Sequence, residues 1–226
     1  MQSNLVVGIL AHVDAGKTTL SEALLYESGA LRRMGRVDHQ DAFLDNDAME
    51  RKRGITIFSK QAVMPIGNGA MTLMDTPGHV DFSAETERVL GILDYAILVI
   101  NAADGVQTHT LTLWQLLKRY RLPVFLFVNK MDLPASHAGR IMEELKRCFG
   151  DGFVLFGRET DKAFYEEAAL CDEAALAEFL REGRIGDKTI TALIKQRRIY
   201  PCYFGSALKT QGVAQLLEGI SRYAAI

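Results

Sequence analysis

Short apolar runs alternate with helix-like segments along most of this chain. The runs are rich in Val, Ile and Leu, as buried strands are. They occupy 5–10, 70–75, 95–100, 123–128 and 200–207, with a candidate edge strand at 55–65. Segments with apolar residues at helical spacing lie at 17–29, 108–121, 136–150 and 211–224. Strands that alternate with helices are typical of a mostly parallel sheet with helices on both faces, so the sequence predicts an α/β fold.

Two stretches interrupt the alternation. Residues 30–54 are polar and without a clear period, and so long a segment inside a compact domain is more often functional than an idle connection. Residues 151–199 contain acidic helical pieces, which predict a small helical insertion at about 150–199. Among the predicted helices, 108–121 should have Leu111, Trp114 and Leu117, or their neighbours, on one face, and 136–150 has Ser136 as a candidate N-cap.

Length and composition limit the class of protein. The 226 residues are 48% hydrophobic with a net charge of -2, which suits one domain over 1–226 and argues against broad adhesion to nucleic acid or anionic membrane. We expect no membrane association and no sequence-specific DNA binding. Three widely spaced cysteines form no C-x-x-C pair and no disulfide framework, which favours a reducing cytoplasm. No apolar run reaches the roughly 18–20 residues of a membrane span.

The stretch from Ala11 to Thr18, AHVDAGKT, follows a predicted strand and opens a predicted helix, as a phosphate-binding P-loop does. Backbone N–H groups there can surround phosphate oxygens, helped by the positive end of the helix. Gly16 permits close backbone approach, Lys17 can reach the β- and γ-phosphates, and the Thr18 hydroxyl can bind Mg²⁺. The candidate phosphate-binding residues are His12, Val13, Asp14, Ala15, Gly16, Lys17, Thr18 and Thr19. Ala11 stands where the generic pattern has glycine, so that pattern is matched loosely.

Further residues suit the same phosphate and metal chemistry. Asp75 ends a predicted strand, where its carboxylate can hold the Mg²⁺ shell, usually through water. Thr56 follows the irregular segment and could give Mg²⁺ a second hydroxyl. Gly78 could donate its N–H to the γ-phosphate. The predicted metal ligands are therefore Thr18, Thr56 and Asp75.

A third group of residues suits a guanine base. NKMD, at 129–132, ends a predicted strand, and Asp132 can accept from the guanine N1–H and exocyclic amine, a donor pair that adenine lacks. Asn129 can bind the base edge and brace the P-loop, the Lys130 stem can lie on the base, and the Ala207 N–H can meet O6. The candidate base-binding residues are Asn129, Lys130, Asp132, Ser206, Ala207 and Leu208. All these elements follow predicted strands, so they should meet at the carboxyl edge of the sheet, where doubly wound folds bind ligands.

These residues resemble the GTP-binding domain of translation factors. GILAHVDAGKTTLSEALL, ERKRGITI, DTPGHVDF and VNKMD are similar to stretches of elongation factor G, peptide-release factor 3 and the tetracycline-resistance ribosomal protection proteins. DNDAMERKRGITI and AHVDAGKTTLSEALLYESGAL are most similar to the ribosomal protection group. The resemblance covers the whole chain and implies a P-loop NTPase fold, in which the insert corresponds in position to an extra subdomain of the larger factors.

The resemblance also implies a reaction, the hydrolysis of GTP to GDP and phosphate with Mg²⁺ as cofactor. Lys17, Thr56 and Gly78 would serve catalysis together with His79, which matches the histidine that orients the attacking water. Val13 and Ile55 match two apolar side chains that screen the water from that histidine. Asp14 matches an aspartate that can help to hold a monovalent cation.

Further expectations concern partners and the rest of the protein. The ribosome would stimulate hydrolysis and bind the full-length protein, and residues 36–56 and 76–90 would act as switches. The family's larger members continue into further domains, so the chain is expected to be a fragment. Within the family, an elongation factor G-like or release factor 3-like GTPase is the alternative to tetracycline resistance. Outside it stand a nucleotide-dependent binding switch with little hydrolysis, and a P-loop ATPase or kinase, against which Lys130 and Asp132 count.

Overall fold

A seven-stranded β-sheet runs through the part of the chain that the computed structural model describes, residues 4–35, 60–76 and 83–224. Its strands are β1 (Asn4–Ala11), β2 (Lys60–Ile66), β3 (Gly69–Asp75), β4 (Tyr95–Asn101), β5 (Val124–Asn129), β6 (Phe153–Leu155) and β7 (Tyr200–Phe204). The order across the sheet is β2-β3-β1-β4-β5-β7-β6. Neighbours are parallel except for β2 and β3, which pair antiparallel. The predicted mostly parallel α/β fold is confirmed.

Helices cover both faces of this sheet, as predicted. They are α1 (Lys17–Glu27), α2 (Ser83–Leu90), α3 (Thr108–Arg119), α4 (Ala138–Phe149), α5 (Lys162–Ala169), α6 (Glu173–Glu182), α7 (Asp187–Lys195) and α8 (Val213–Tyr223). Successive residues of a strand point to opposite faces. Val7 and Ile9 of β1 accordingly join the core under α1, α8 and the α5–α7 helices, whereas Leu10 joins the core under α2, α3 and α4.

The stretch predicted as a helical insertion begins with a strand. Phe153–Leu155 form β6, which pairs parallel with β7 at the edge of the sheet. Phe153 and Val154 are buried in opposite cores, so the strand belongs to the sheet, and helices α5, α6 and α7 follow it. Only the start of the predicted stretch needs correction, and the sequence could not show it because a strand of three residues is too short for an alternating pattern.

Two helix predictions also need correction. On the predicted face of α3, Trp114 and Leu117 are buried as expected, whereas Leu111 is 40% exposed and Thr110 and Leu113 are buried in its place. The N-cap of α4 is His137 and not Ser136. The Ser136 hydroxyl donates instead to the Lys130 carbonyl oxygen over 2.8 Å, so it is engaged by the preceding loop.

Two further sequence expectations concern cysteines and membranes. Cys148, Cys171 and Cys202 are free thiols. Within the described ranges, no helix is long and apolar enough to cross a membrane.

Candidate functional site

The loop from His12 to Gly16 makes a tight turn between β1 and α1. The Ala15 N–H donates to the His12 carbonyl oxygen over 3.1 Å, and Asp14 and Gly16 adopt left-handed backbone angles, with φ of 61° and 90°. Leu20 N–H donates to the Gly16 carbonyl oxygen over 2.9 Å, as the first helical bond of α1. The N–H groups of the first helical turn therefore point back towards the loop, an arrangement that suits an anion.

Gly16 is required by a neighbouring side chain as well as by its own backbone. A Cβ atom added at Gly16 would overlap Nδ2 of Asn129, which reaches across from the end of β5. A left-handed φ also disfavours any residue with a Cβ. The glycine therefore allows the P-loop and β5 to come into contact.

Asn129 joins two loops through its carboxamide. The residue is 3% exposed. Its Nδ2 donates to the Ala15 carbonyl oxygen over 2.9 Å, and its Oδ1 accepts from the Ala207 N–H over 2.8 Å. One side chain thus holds the P-loop and the loop after β7 together. The Ala207 N–H, which we predicted as a donor to guanine O6, is donated to Asn129 in this structure.

Lys17 and Asp75 form a buried ion pair. The Nζ–Oδ1 distance is 2.6 Å, and the two side chains are 8% and 2% exposed. Next to Asp75, the hydroxyl of the fully buried Thr76 donates to the Ile9 carbonyl oxygen over 2.6 Å, which ties the end of β3 to β1. The predicted phosphate ligand Lys17 and the predicted metal ligand Asp75 therefore lie in one place.

The oxygen atoms of Thr18 and Asp75 have the right chemistry for Mg²⁺. This ion takes hard oxygen ligands and is usually held by one or two protein groups together with phosphates and water. The Asp75 carboxylate contacts Lys17, the residue before Thr18. Among the residues described, no three His, Cys, Asp or Glu side chains cluster to hold a metal, so a site built by the protein alone is not found there.

The loops after β5 and β7 meet around Asp132. The Lys209 Nζ lies 3.4 Å from Asp132 Oδ2. A hydrogen bond from Ser206 is the largest cause that holds the pKa of Asp132 below its usual value, and the Lys209 ammonium acts in the same direction. At neutral pH the carboxylate is therefore ionised and accepts hydrogen bonds only.

Backbone bonds fix the loop that carries Asp132. Lys130 has a left-handed φ of 62°, and its carbonyl oxygen accepts from Leu133 N–H over 3.1 Å as well as from Ser136. Met131 N–H donates to the Gly205 carbonyl oxygen over 3.0 Å. The NKMD stretch is thereby bonded directly to the strand end that carries Ser206.

Sequence reasoning missed a contact between His109 and the P-loop. His109 is half-buried, and its ring centroid lies 5.9 Å from that of His12 with the planes at 57°. The available signal was its spacing of four residues from the buried Leu113, which puts both on one face of α3. Through His109, α3 contacts the loop that we expect to bind phosphate.

The described part of the chain brings most predicted residues to the carboxyl edge of the sheet. Val13, Thr18 and Thr19 are half-buried in or just after the P-loop, and Asp14 is exposed. Ser206 and Ala207 are buried in the loop after β7, whereas Leu208 is 46% exposed. The predicted residues Ile55, Thr56, Gly78 and His79 lie outside the described residues.

The chain is similar in sequence to several known proteins. The family model described as the elongation factor Tu GTP binding domain matches residues 2–225. Tetracycline resistance protein TetM of Streptomyces lividans is 39% identical over 95% of this chain and 36% of its own length. TetP of Clostridium perfringens is 36% identical over 99% of this chain and 38% of its own length. Elongation factor G 1 of Syntrophus aciditrophicus (strain SB) is 35% identical over 96% of this chain and 39% of its own length.

A crystal structure of a protein from Thermus thermophilus has the same fold. It matches with a TM-score of 0.85 and 24% identity, over 97% of this chain and 40% of that chain. The chain thus spans between 36% and 40% of the length of these four proteins.

Proposed function

The chain belongs to the family of elongation factor Tu GTP-binding domains, as the resemblance predicted, and from this premise we propose that it binds GTP and hydrolyses it to GDP and phosphate. We further propose that it does so within a ribosome-associated translation factor of the tetracycline-resistance type, in the cytoplasm. The whole of 1–226 would form one GTP-binding domain, with a helical insert that lies after β6 within the predicted range of about 150–199. Similarity to TetM and TetP supports this subgroup. Similarity to elongation factor G 1 supports the alternative of an elongation factor G-like GTPase.

The observation that carries the proposal is the double hydrogen bond of Asn129. It joins the Ala15 carbonyl of the P-loop to the Ala207 N–H of the loop after β7. A ligand that binds to both the P-loop and the loop after β7 must combine phosphates with a group that can reach Asp132. A guanine nucleotide meets both requirements.

At the phosphate end, Lys17 would exchange part of its contact with Asp75 for the β- and γ-phosphate oxygens. Thr18 and Asp75, with Thr56, would hold Mg²⁺, whose charge offsets that of the phosphates. Asp14 is exposed, which leaves its carboxylate accessible to a monovalent cation near the β–γ bridge.

At the base end, Asp132 would accept from the guanine N1–H and exocyclic amine. The turn at 207–209 is closed by N–H groups of Lys209 and Thr210, which donate over 3.1 Å each. Leu208 therefore offers the next N–H after Ala207, and we propose that it donates to guanine O6. The Lys130 stem would lie on the base plane.

Hydrolysis would depend on residues that the resemblance to the family assigns to it. His79 would orient the attacking water, Gly78 would donate its N–H to the γ-phosphate, and Val13 with Ile55 would screen the water from His79. Ribosome binding by the full-length protein would complete that arrangement. These roles rest on the resemblance of the motifs to the family.

Binding competition tests the nucleotide assignment. Unlabelled GTP should displace a fluorescent GDP analogue from this chain, and ATP should not. Asp132→Asn should shift the preference from guanine towards xanthine nucleotides, because an amide N–H then faces a carbonyl that xanthine has and guanine lacks. Retained selectivity for GTP in that variant would contradict the role of Asp132, and displacement by ATP would favour the ATPase or kinase alternative.

Turnover tests the reaction. Phosphate release from GTP should be slow for the chain alone and faster in the presence of ribosomes when the full-length protein is used. Tight GTP binding without stimulated release would instead support the nucleotide-dependent binding switch.

A further inference from the structure

The Asp132 carboxylate needs neighbours to fix the plane in which it accepts hydrogen bonds. The last side-chain torsion of an aspartate is broad, so its own rotamer preference leaves the orientation of the two oxygens loosely set. The N1–H and exocyclic amine of guanine both lie in the plane of the base. A carboxylate that rotates away from this plane loses one of the two bonds. Selectivity at this position therefore depends on what holds the oxygens.

Lys209 is the cation closest to that carboxylate among the ion pairs of the described residues. Its Nζ lies 3.4 Å from Asp132 Oδ2, and the Asp132 side chain is 18% exposed while that of Lys209 is 54% exposed. The neighbouring Lys130 makes no ion pair within the described part of the chain. Of the two lysines beside the expected base position, Lys209 therefore pairs with the Asp132 carboxylate and Lys130 does not.

The backbone that carries Lys209 is held on both sides. Lys209 N–H donates to the Ser206 carbonyl oxygen over 3.1 Å, and the Thr210 hydroxyl donates to the Lys209 carbonyl oxygen over 2.8 Å. Ser206 and Gln211 exchange two backbone bonds of 3.0 Å each, which closes the turn. Because Gly205 packs so closely that a Cβ would overlap the Gln211 carbonyl oxygen, the turn has little room to move.

We propose that Lys209 is a positioning residue for guanine selectivity: its ammonium group holds the Asp132 carboxylate in the orientation that accepts both guanine donors. This inference rests on the proposed binding of guanine nucleotides. Lys209 itself would not contact the base. The lowered pKa of Asp132, to which Ser206 contributes most and Lys209 contributes further, agrees with this arrangement.

An exposed ion pair contributes little to stability, which separates this role from a structural one. Pairs of this kind are worth a small fraction of the stability of a domain. Removal of the Lys209 charge should therefore leave unfolding unchanged and change the preference for guanine. Inosine nucleotides provide the probe, since hypoxanthine keeps N1–H and lacks the exocyclic amine.

The experiment measures dissociation constants of GDP and IDP for the wild-type chain, Lys209→Met and Lys209→Arg. Lys195→Met, at an exposed lysine on α7, is the matched control. We expect Lys209→Met to lower the ratio of GDP to IDP affinity by about two- to fivefold, the range of an exposed ion pair. Lys209→Arg should restore most of the ratio, and Lys195→Met should leave it unchanged. Equal weakening of GDP and IDP, or no change of either, would overturn the proposal.

A double-mutant comparison with Asp132→Ala tests whether Lys209 acts through Asp132. Without the carboxylate, Lys209→Met should change GDP affinity by less than about 1.5-fold, because interacting residues are non-additive when one acts through the other. An undiminished effect of Lys209→Met would refute the inference. Failure of the wild-type chain to bind GDP would instead refute the proposed function, so the two failures are distinguishable.

Discussion

Replacing Asn129 with alanine should destabilise the chain and weaken guanine nucleotide binding together. The side chain is 3% exposed and bonds the Ala15 carbonyl oxygen at 2.9 Å and the Ala207 N–H at 2.8 Å. Truncation removes both partners at once. Two backbone groups, one on each loop, would then lack their hydrogen bond in a buried place.

The expected loss of unfolding free energy is about 2–6 kcal/mol, since each orphaned buried backbone group costs roughly 1–3 kcal/mol. A water molecule that entered the space left by the carboxamide could bond both groups and bring the cost to the lower end of this range. Asn129→Asp should be at least as costly. It keeps an acceptor for Ala207 N–H but sets a carboxylate oxygen against the Ala15 carbonyl oxygen, so two acceptors meet.

Urea unfolding followed by circular dichroism would measure the loss, and displacement of a fluorescent GDP analogue would measure binding. Asn4→Ala is the matched control, because Asn4 is exposed and bonds only the Thr72 side chain among the side-chain hydrogen bonds of the described residues. That change should stay within about 0.5 kcal/mol of wild type. If both Asn129 variants also stayed within that limit and bound GDP normally, Asn129 would not connect the loops as argued.

Three other predictions concern the P-loop, Asp132 and the predicted catalytic residue His79. Gly16→Ala should lower the free energy of unfolding by less in the Asn129→Ala variant than in the wild-type chain, because the overlap with Asn129 Nδ2 is gone while the strain of a left-handed φ persists. A double-mutant cycle in urea would measure this difference. Ser206→Ala should raise the pKa of Asp132 towards its usual value, as NMR titration of the carboxyl carbon would show. An ionised Asp132 with a lowered pKa stabilises the fold at pH values above the pKa of the unfolded chain, and this stabilisation is lost as the pH falls through the folded-state pKa. Because the pKa is higher in Ser206→Ala, that variant should lose the stabilisation at a higher pH than wild type. His79→Ala should keep GDP binding and remove ribosome-stimulated phosphate release by the full-length protein, whereas unchanged release would exclude His79 from the reaction.

The sequence predicts the centre of the sheet well because its strands are buried on both faces. Such strands appear as continuous apolar runs, and those predicted at 95–100 and 123–128 correspond to β4 and β5. β6 was missed because three residues carry no period. α2 was missed because its apolar residues cluster at one end, where Val89 and Leu90 are buried.

The sequence also predicts which loops meet, and it does so from topology alone. Loops that follow parallel strands lie at the same edge of the sheet, so residues after β1, β3, β5 and β7 had to be neighbours. It does not predict which side chain contacts which atom. Those contacts depend on left-handed residues such as Asp14, Lys130 and Thr210, whose φ values of 61°, 62° and 54° are unusual outside glycine and follow from the packing of the loops.

These contacts connect the two ends of the pocket through short, mostly buried bonds. The Ala15 carbonyl is bonded to Asn129, Asn129 is bonded to Ala207, and the turn that starts at Ala207 carries Lys209 to Asp132. A shift of the P-loop by a fraction of an ångström would weaken a hydrogen bond of 2.8–2.9 Å, and the turn would have to follow or lose its partner. Selectivity for the base and affinity for the phosphates should therefore change together when Asn129 is altered, but separately when only Lys209 is altered. This difference follows from position: Asn129 bonds both the P-loop and the loop after β7, whereas the Lys209 ammonium pairs with Asp132 at the base end of the pocket.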